Sequence, residues 1–364
     1  MGFYKVYDDY KDFDFEEYFS GLTDDRIRAI LGKEQINLLE YLALLSPAAE
    51  NHLEEMAQKA HRMTVHHFGK TILLYTPMYL SNYCTNQCVY CSFHEKNDIS
   101  RQQLSLEAVE EEAKTIATQG LKHILLLTGD ARKIASIEYL SECIKVVKKF
   151  FSSVSLEIYA LTEAEYEALI EVGVDGLTIY QETYNEEIYD AVHPKGPKKD
   201  YHFRLDAPER ACKAWMRAVN IGALLGLDGW RKEAFYTGMH ANYLQNNYLG
   251  TEVSLSFPRL RPHLGSYEPN DDVNDKNLVQ MILAARIFMP RAGITISTRE
   301  SATLRNHLLK LGVTKMSAGS KTAVGGHTQS DENVSQFDIA DIRDVQEMSA
   351  DITKFGYQPV YKDW

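Results

Sequence analysis

From residue 70 onward the chain alternates. Short runs rich in β-branched and apolar residues recur at 71–75, 122–127, 155–159, 176–180, 218–224, 252–257, 293–297 and 313–317, with helical segments between them. Strands separated by helical crossovers pair in parallel, because each crossover carries the chain back to the end where the previous strand began. Eight such repeats favour a closed α/β fold, a (β/α)8 TIM-type barrel, in which about 250 residues form one domain. An open sheet of six strands is the alternative if two of the runs are not strands.

The helices stand on their own signals. Leu106, Val109, Ala113, Ile116 and Ala117 make one apolar stripe that Gly120 ends. Thr162 with Glu165 forms a capping box ahead of Leu169, Ile170 and Val172, and Gly173 closes that helix. Residues 1–68 read as an N-terminal helical extension, aromatic at its start and carrying Leu38, Leu39, Leu42 and Leu45 at helical spacing. The expected organisation is this extension over 1–68, the barrel over 69–330, and a C-terminal helix and tail over 331–364 packed on the barrel. A hydrophobic content of 45% supplies a large core, and a formal net charge of −12 argues against nucleic-acid or anionic-membrane partners while leaving room for a local basic pocket.

A barrel places its active site at the C-terminal ends of its strands, and this chain gathers polar residues there. The first run leads to Tyr79 and then to Cys84, Cys88 and Cys91, three of the five cysteines within eight residues. Thiolates that close repel one another unless a cation holds them. A disulfide framework does not suit a chain that opens without an apolar leader and has few cysteines; both features point to the reducing cytoplasm. Structural zinc wants a second ligand pair, and Cys143 and Cys212 stand alone. A [4Fe-4S] cluster on three thiolates fits better and leaves one iron open. A zinc-bound loop and a cluster used only for electron transfer are the competing readings of the same residues.

CxxxCxxC with an aromatic, Tyr90, just before its last cysteine resembles the signature of radical S-adenosylmethionine (SAM) enzymes. The resemblance implies that Cys84, Cys88 and Cys91 hold the [4Fe-4S] cluster, that the open iron chelates SAM, and that Phe93 packs close by. It implies further that Thr128-Gly129-Asp130 receives the SAM amino group and that Glu157 accepts the ribose hydroxyls, a pairing carboxylates make well. Gln181 and Glu182 are placed at the cofactor by their position at the end of the fourth strand, and Gly226, with Gly222, beside adenine. Arg204 is expected on the SAM carboxylate, with Arg210 as its competitor.

Within that family, Tyr180-Gln181-Glu182-Thr183-Tyr184, Phe257-Pro258-Arg259-Leu260-Arg261-Pro262, Ser297-Thr298-Arg299-Glu300 and Met316-Ser317-Ala318-Gly319-Ser320 resemble the aromatic amino acid lyases, nearest to the tyrosine lyases of thiamine biosynthesis. The resemblance gives Arg299 and Ser317 the amino acid carboxylate and Tyr79 the substrate backbone. A planar guanidinium fixes a carboxylate's direction as well as binding it; the competing role for Arg299 is an ion pair with Glu300. The implied reaction splits the Cα–Cβ bond of L-tyrosine into 2-iminoacetate and 4-methylphenol, with 5′-deoxyadenosine and methionine formed from SAM. The implied partners are a thiazole synthase, for which the acidic, aromatic N-terminus is one candidate docking surface, and reduced flavodoxin or ferredoxin as electron donor. Tryptophan lyases and the tyrosine lyases of hydrogenase maturation are the neighbouring alternatives. The latter carry further cysteines near their C-terminus, and no cysteine follows Cys212 here.

Overall fold

A computed structural model describes residues 2–328 and 334–362. Eight parallel strands close on themselves: β1 (Thr71–Ser81), β2 (His123–Thr128), β3 (Ser153–Glu157), β4 (Gly176–Glu182), β5 (Ala218–Ala223), β6 (Glu252–Ser256), β7 (Gly293–Ile296) and β8 (Lys315–Ser317). Each pairs with the next, and β1 pairs with both β2 and β8, so the sheet has no open six-stranded form. A ninth strand, β9 (Gln358–Val360), which the sequence pattern does not announce, lies parallel to the start of β1 through Thr71 to Leu73.

β1 runs six residues past the expected 71–75, through Pro77. A proline inside a barrel strand costs a ladder hydrogen bond unless its nitrogen faces an unpaired edge. Here β8 pairs only as far as Tyr75, and the Pro77 carbonyl on that same side takes a hydrogen bond from His327 at 3.1 Å. No strand partner is missing an N–H, so β1 continues along β2 to Ser81 and carries the cysteine loop over the barrel mouth.

Five helices precede the barrel: α1 (Phe3–Asp8), α2 (Phe15–Ser20), α3 (Asp24–Leu31), α4 (Leu38–Leu44) and α5 (Leu53–Phe68). The barrel helices are α6 (Leu106–Ala117), α7 (Ile137–Val147), α8 (Glu163–Glu171), α9 (Glu186–Val192), α10 (Tyr201–Leu205), α11 (Ala207–Lys213), α12 (Trp230–Asn247), α13 (Asp275–Phe288) and α14 (Ala302–Leu308), and α15 (Val345–Lys354) precedes β9. The Thr162–Glu165 capping box starts α8, and Gly173 turns out of it at φ +111°.

The aromatic start of the chain is not a free surface. Phe3, Tyr7, Phe15 and Phe19 are buried, with Phe3 stacked at 3.8 Å on His240 and Tyr7 edge-on to Tyr236, both residues of α12. These four rings belong to the core, while Tyr4, Tyr10, Phe13 and Tyr18 stay half-buried among exposed acidic residues. The expected boundary between 330 and 331 lies outside the described residues. No described helix is long and apolar enough to cross a membrane.

Candidate active site

One cleft opens at the C-terminal ends of the strands, lined by residues from β1 to β7 and the loops that follow them. Cys84, Cys88 and Cys91 line it, with Tyr90 and Phe93 beside them. The loop that carries them is fixed from two directions. Thr85 N and Oγ1 both donate to the Asp130 carbonyl, at 2.8 and 2.9 Å, and Asn86 Nδ2 donates to Asp130 Oδ2 at 2.8 Å. On the other side Gln87 N donates to the Lys195 carbonyl at 2.9 Å.

Gly129 lines the cleft, but its missing Cβ answers to the loop. A Cβ there would lie 2.3 Å from the Tyr83 carbonyl and 3.2 Å from Cys84 Cβ. The glycine lets the backbone approach the cysteine loop, which is a different reason from the ligand approach expected of it. Asp130, having tied down Thr85 and Asn86, keeps Oδ1 buried without a partner, an acceptor left for a donor the protein does not supply.

Without a cation the thiols are held protonated: burial pushes Cys88 up to about 12 and Cys91 up to about 11, and raises Cys84 as well. Positive charge placed among them reverses that cost. Among the described residues, no three His, Cys, Asp or Glu side chains gather about one point as a single ion would require. Three thiolates that each bind a different iron of a cube have no such requirement. The donor set and the orphaned Asp130 oxygen fit a three-cysteine [4Fe-4S] cluster with SAM alongside it.

Glu157 ends β3 inside the cleft; burial pushes its carboxyl up to about 7, against the opposing pull of Arg299. Glu182 sits at the bulged end of β4 with φ +72°, a strained backbone for a non-glycine residue. Lys198 Nζ reaches Glu182 Oε1 at 2.5 Å and lies 5.6 Å from the Tyr90 ring centre. Arg204 donates from Nε to the Tyr180 carbonyl at 2.8 Å, and one of its terminal nitrogens is 3.7 Å from Glu182. Arg210 is committed elsewhere, to the Leu161 and Phe203 carbonyls at 2.7 Å each, and does not line the cleft. Of these two, Arg204 is the one that lines the cleft.

Gln181 and Gly226, both expected at the cofactor, do not line the cleft. The β4 bulge turns the Gln181 amide into the interior, where neither of its polar atoms has a partner. Gly226 holds a loop turn at φ +111°, its carbonyl accepting from Asn270 N at 2.7 Å. Gly222 packs β5 against β6, where a Cβ would meet the Ser256 carbonyl at 2.1 Å.

Deeper in the barrel the cleft continues into a chamber shared by Tyr79, Glu157, Arg299 and Ser317. Ser317 Oγ accepts from Thr298 N at 3.1 Å. Arg299 makes no ion pair among the described residues: its neighbour Glu300 is taken by Arg259, whose Nε lies 3.1 Å from Glu300 Oε1. The Arg299 guanidinium instead donates to the Arg259 carbonyl at 3.2 Å and stacks 3.5 Å from the Phe337 ring centre. A half-buried guanidinium with no ion pair among the described residues can receive an anion. Gln336, Phe337 and Lys198, which sequence reasoning passed over, also line the cleft, and His193 lies behind it, its Nε2 2.6 Å from the Tyr90 hydroxyl.

The radical SAM superfamily profile matches residues 78–236, and that of the biotin and thiamin synthesis associated domain matches residues 256–358. The chain is 38% identical over 346 residues to 2-iminoacetate synthase of Escherichia coli strain K12, covering 95% of this chain and 92% of that protein. The chain belongs to the radical SAM superfamily. The corresponding Salmonella typhimurium enzyme is 37% identical over the same shares. The crystal structure of HydG, a maturase of the [FeFe]-hydrogenase, superposes with a TM-score of 0.91 at 30% identity, over 97% of this chain and 80% of that one. As a radical SAM enzyme the protein uses a [4Fe-4S] cluster and SAM.

Proposed function

We propose that the protein is a carbon–carbon lyase that splits the Cα–Cβ bond of L-tyrosine into 2-iminoacetate and 4-methylphenol. The observation that carries this reading is one cleft with the three cysteines on one side and, on the other, an arginine that makes no ion pair among the described residues. The near full-length likeness to 2-iminoacetate synthases supports the choice of substrate. The bound cofactors supply a 5′-deoxyadenosyl radical on reduction. The chain's own residues then have three tasks: Cys84, Cys88 and Cys91 hold the cluster; Thr128, Gly129, Asp130, Glu157, Glu182 and Arg204 surround SAM; and Arg299 with Ser317 grips the tyrosine carboxylate.

Direction is what the grip contributes. With the carboxylate fixed by a planar guanidinium, the amino group is presented to the radical while other hydrogens are held away from it. The cleft walls keep water from a product that hydrolyses readily. A reductant is required; reduced flavodoxin or ferredoxin in the cytoplasm and a thiazole synthase that takes the product directly complete the proposal.

The test is anaerobic reconstitution with iron and sulfide, followed by SAM, dithionite and either tyrosine or tryptophan, and chromatography for 5′-deoxyadenosine and 4-methylphenol. Tyrosine is expected to give both products, and Cys88→Ser neither. Turnover of tryptophan in place of tyrosine would move the protein to the neighbouring lyase class, and reconstituted protein without SAM cleavage would remove it from catalysis.

A further inference from the structure

We propose that Gln336 is a positioning residue that joins the two ends of the site, its amide holding Cys91 on the cluster side and the Tyr79 phenol on the substrate side. The proposal rests on the reading that Cys91 is a cluster ligand. Gln336 Oε1 accepts from Tyr79 Oη at 2.8 Å, and Gln336 Nε2 donates to Cys91 Sγ at 3.8 Å. Chemistry fixes that orientation: a thiolate sulfur only accepts, so the NH2 must face it and the carbonyl is left for the phenol.

The backbone around Gln336 is anchored where this requires. Gln336 N donates to the Thr322 carbonyl at 2.9 Å, and its carbonyl accepts from Ser92 N, next to Cys91, at 3.4 Å. Phe337, the following residue, lies against Arg299, and Ala340 N donates to the Thr298 carbonyl at 2.8 Å. Two adjacent residues that follow the last barrel strand thus touch the cysteine loop, the β1 tyrosine and the arginine after β7.

Two consequences follow from the contacts. An N–H aimed at a ligating sulfur draws charge from it, which favours the reduced cluster and raises its potential. The carbonyl on the same side chain holds the Tyr79 hydroxyl in place at the mouth of the substrate chamber.

The experiment is an EPR-monitored redox titration of full-length, anaerobically reconstituted protein without SAM, comparing wild type with Gln336→Leu and Gln336→Glu. Leucine removes both contacts; glutamate is nearly isosteric, keeps the acceptor for Tyr79 and sets negative charge against the sulfur. At iron and sulfide contents equal to wild type, both variants are expected to have a lower midpoint potential, with the glutamate variant lower still. The tyrosine KM is expected to rise about tenfold in the leucine variant only. Midpoints equal to wild type in both variants at full cluster content would overturn the proposal. If the leucine variant fails to fold, the glutamate variant carries the same comparison. Wild-type protein that takes up no cluster would overturn the cluster reading itself, a separate outcome.

Discussion

Arg299 shows how much a side chain's role depends on what its neighbour does. In the sequence it stands next to Glu300, and an adjacent ion pair is the bland reading; in the fold Glu300 points to Arg259 and leaves Arg299 to the chamber. Arg299→Ala is expected to raise the tyrosine KM by roughly 10- to 100-fold, the worth of charge-assisted hydrogen bonds. The variant should also release 5′-deoxyadenosine in excess of 4-methylphenol, which chromatography of both products measures. Glu157 gives a pH signature. Its carboxyl titrates near 7 in the fold and near 4.5 unfolded, so between those values the unfolded chain holds fewer protons and stability falls as pH rises. SAM-free wild type should therefore lose about 2 kcal/mol relative to Glu157→Gln between pH 4.5 and 7.5, the open side of the cleft having been allowed for. Thermal melts of the two proteins across that range make the comparison, and parallel curves would refute it.

The elements that matter most are the cysteine loop and the stretch after β8. The loop is legible in sequence because ligand spacing is local; its support is not, since Asp130 and Gly129 come from the end of β2. Gly129→Ala would drive a Cβ into the Tyr83 carbonyl, a backbone atom that cannot rotate away. The expected result is a displaced loop and iron incorporation well below wild type after reconstitution, with the barrel's circular dichroism preserved. Residues 334–343 fall in the stretch expected to pack on the barrel as helix and tail, and they form neither helix nor strand. Tertiary structure gives them work: Asp341 forms a buried ion pair with Arg305, whose guanidinium also holds the Ser317 carbonyl. Gln181 and Gly226 lie off the cleft lining, since being near the end of a strand does not tell which way a bulged backbone or a loop turn aims.

For the molecule as a whole, a net charge of −12 coexists with a cleft that holds Lys198, Arg204, Arg261 and Arg299. Overall charge speaks to bulk partners, and the local field speaks to the ligand. The N-terminal helices are likewise part of the body: Phe3→Ala removes a fully buried ring stacked on His240 and is expected to cost about 3–5 kcal/mol, read from chemical denaturation. A cost under 1 kcal/mol would show that this segment packs loosely. Sequence by itself determined the eight strands, the Thr162–Glu165 capping box, the three-cysteine spacing and the family, because each is written in spacing over fewer than about twenty residues. Only tertiary structure decided which arginine lines the cofactor cleft, which acid leaves Arg299 free, and that Gln336 and Phe337 belong to the site. Those choices set residues from some twenty to more than two hundred and fifty positions apart against one another, and the closed barrel fixes their distances and directions.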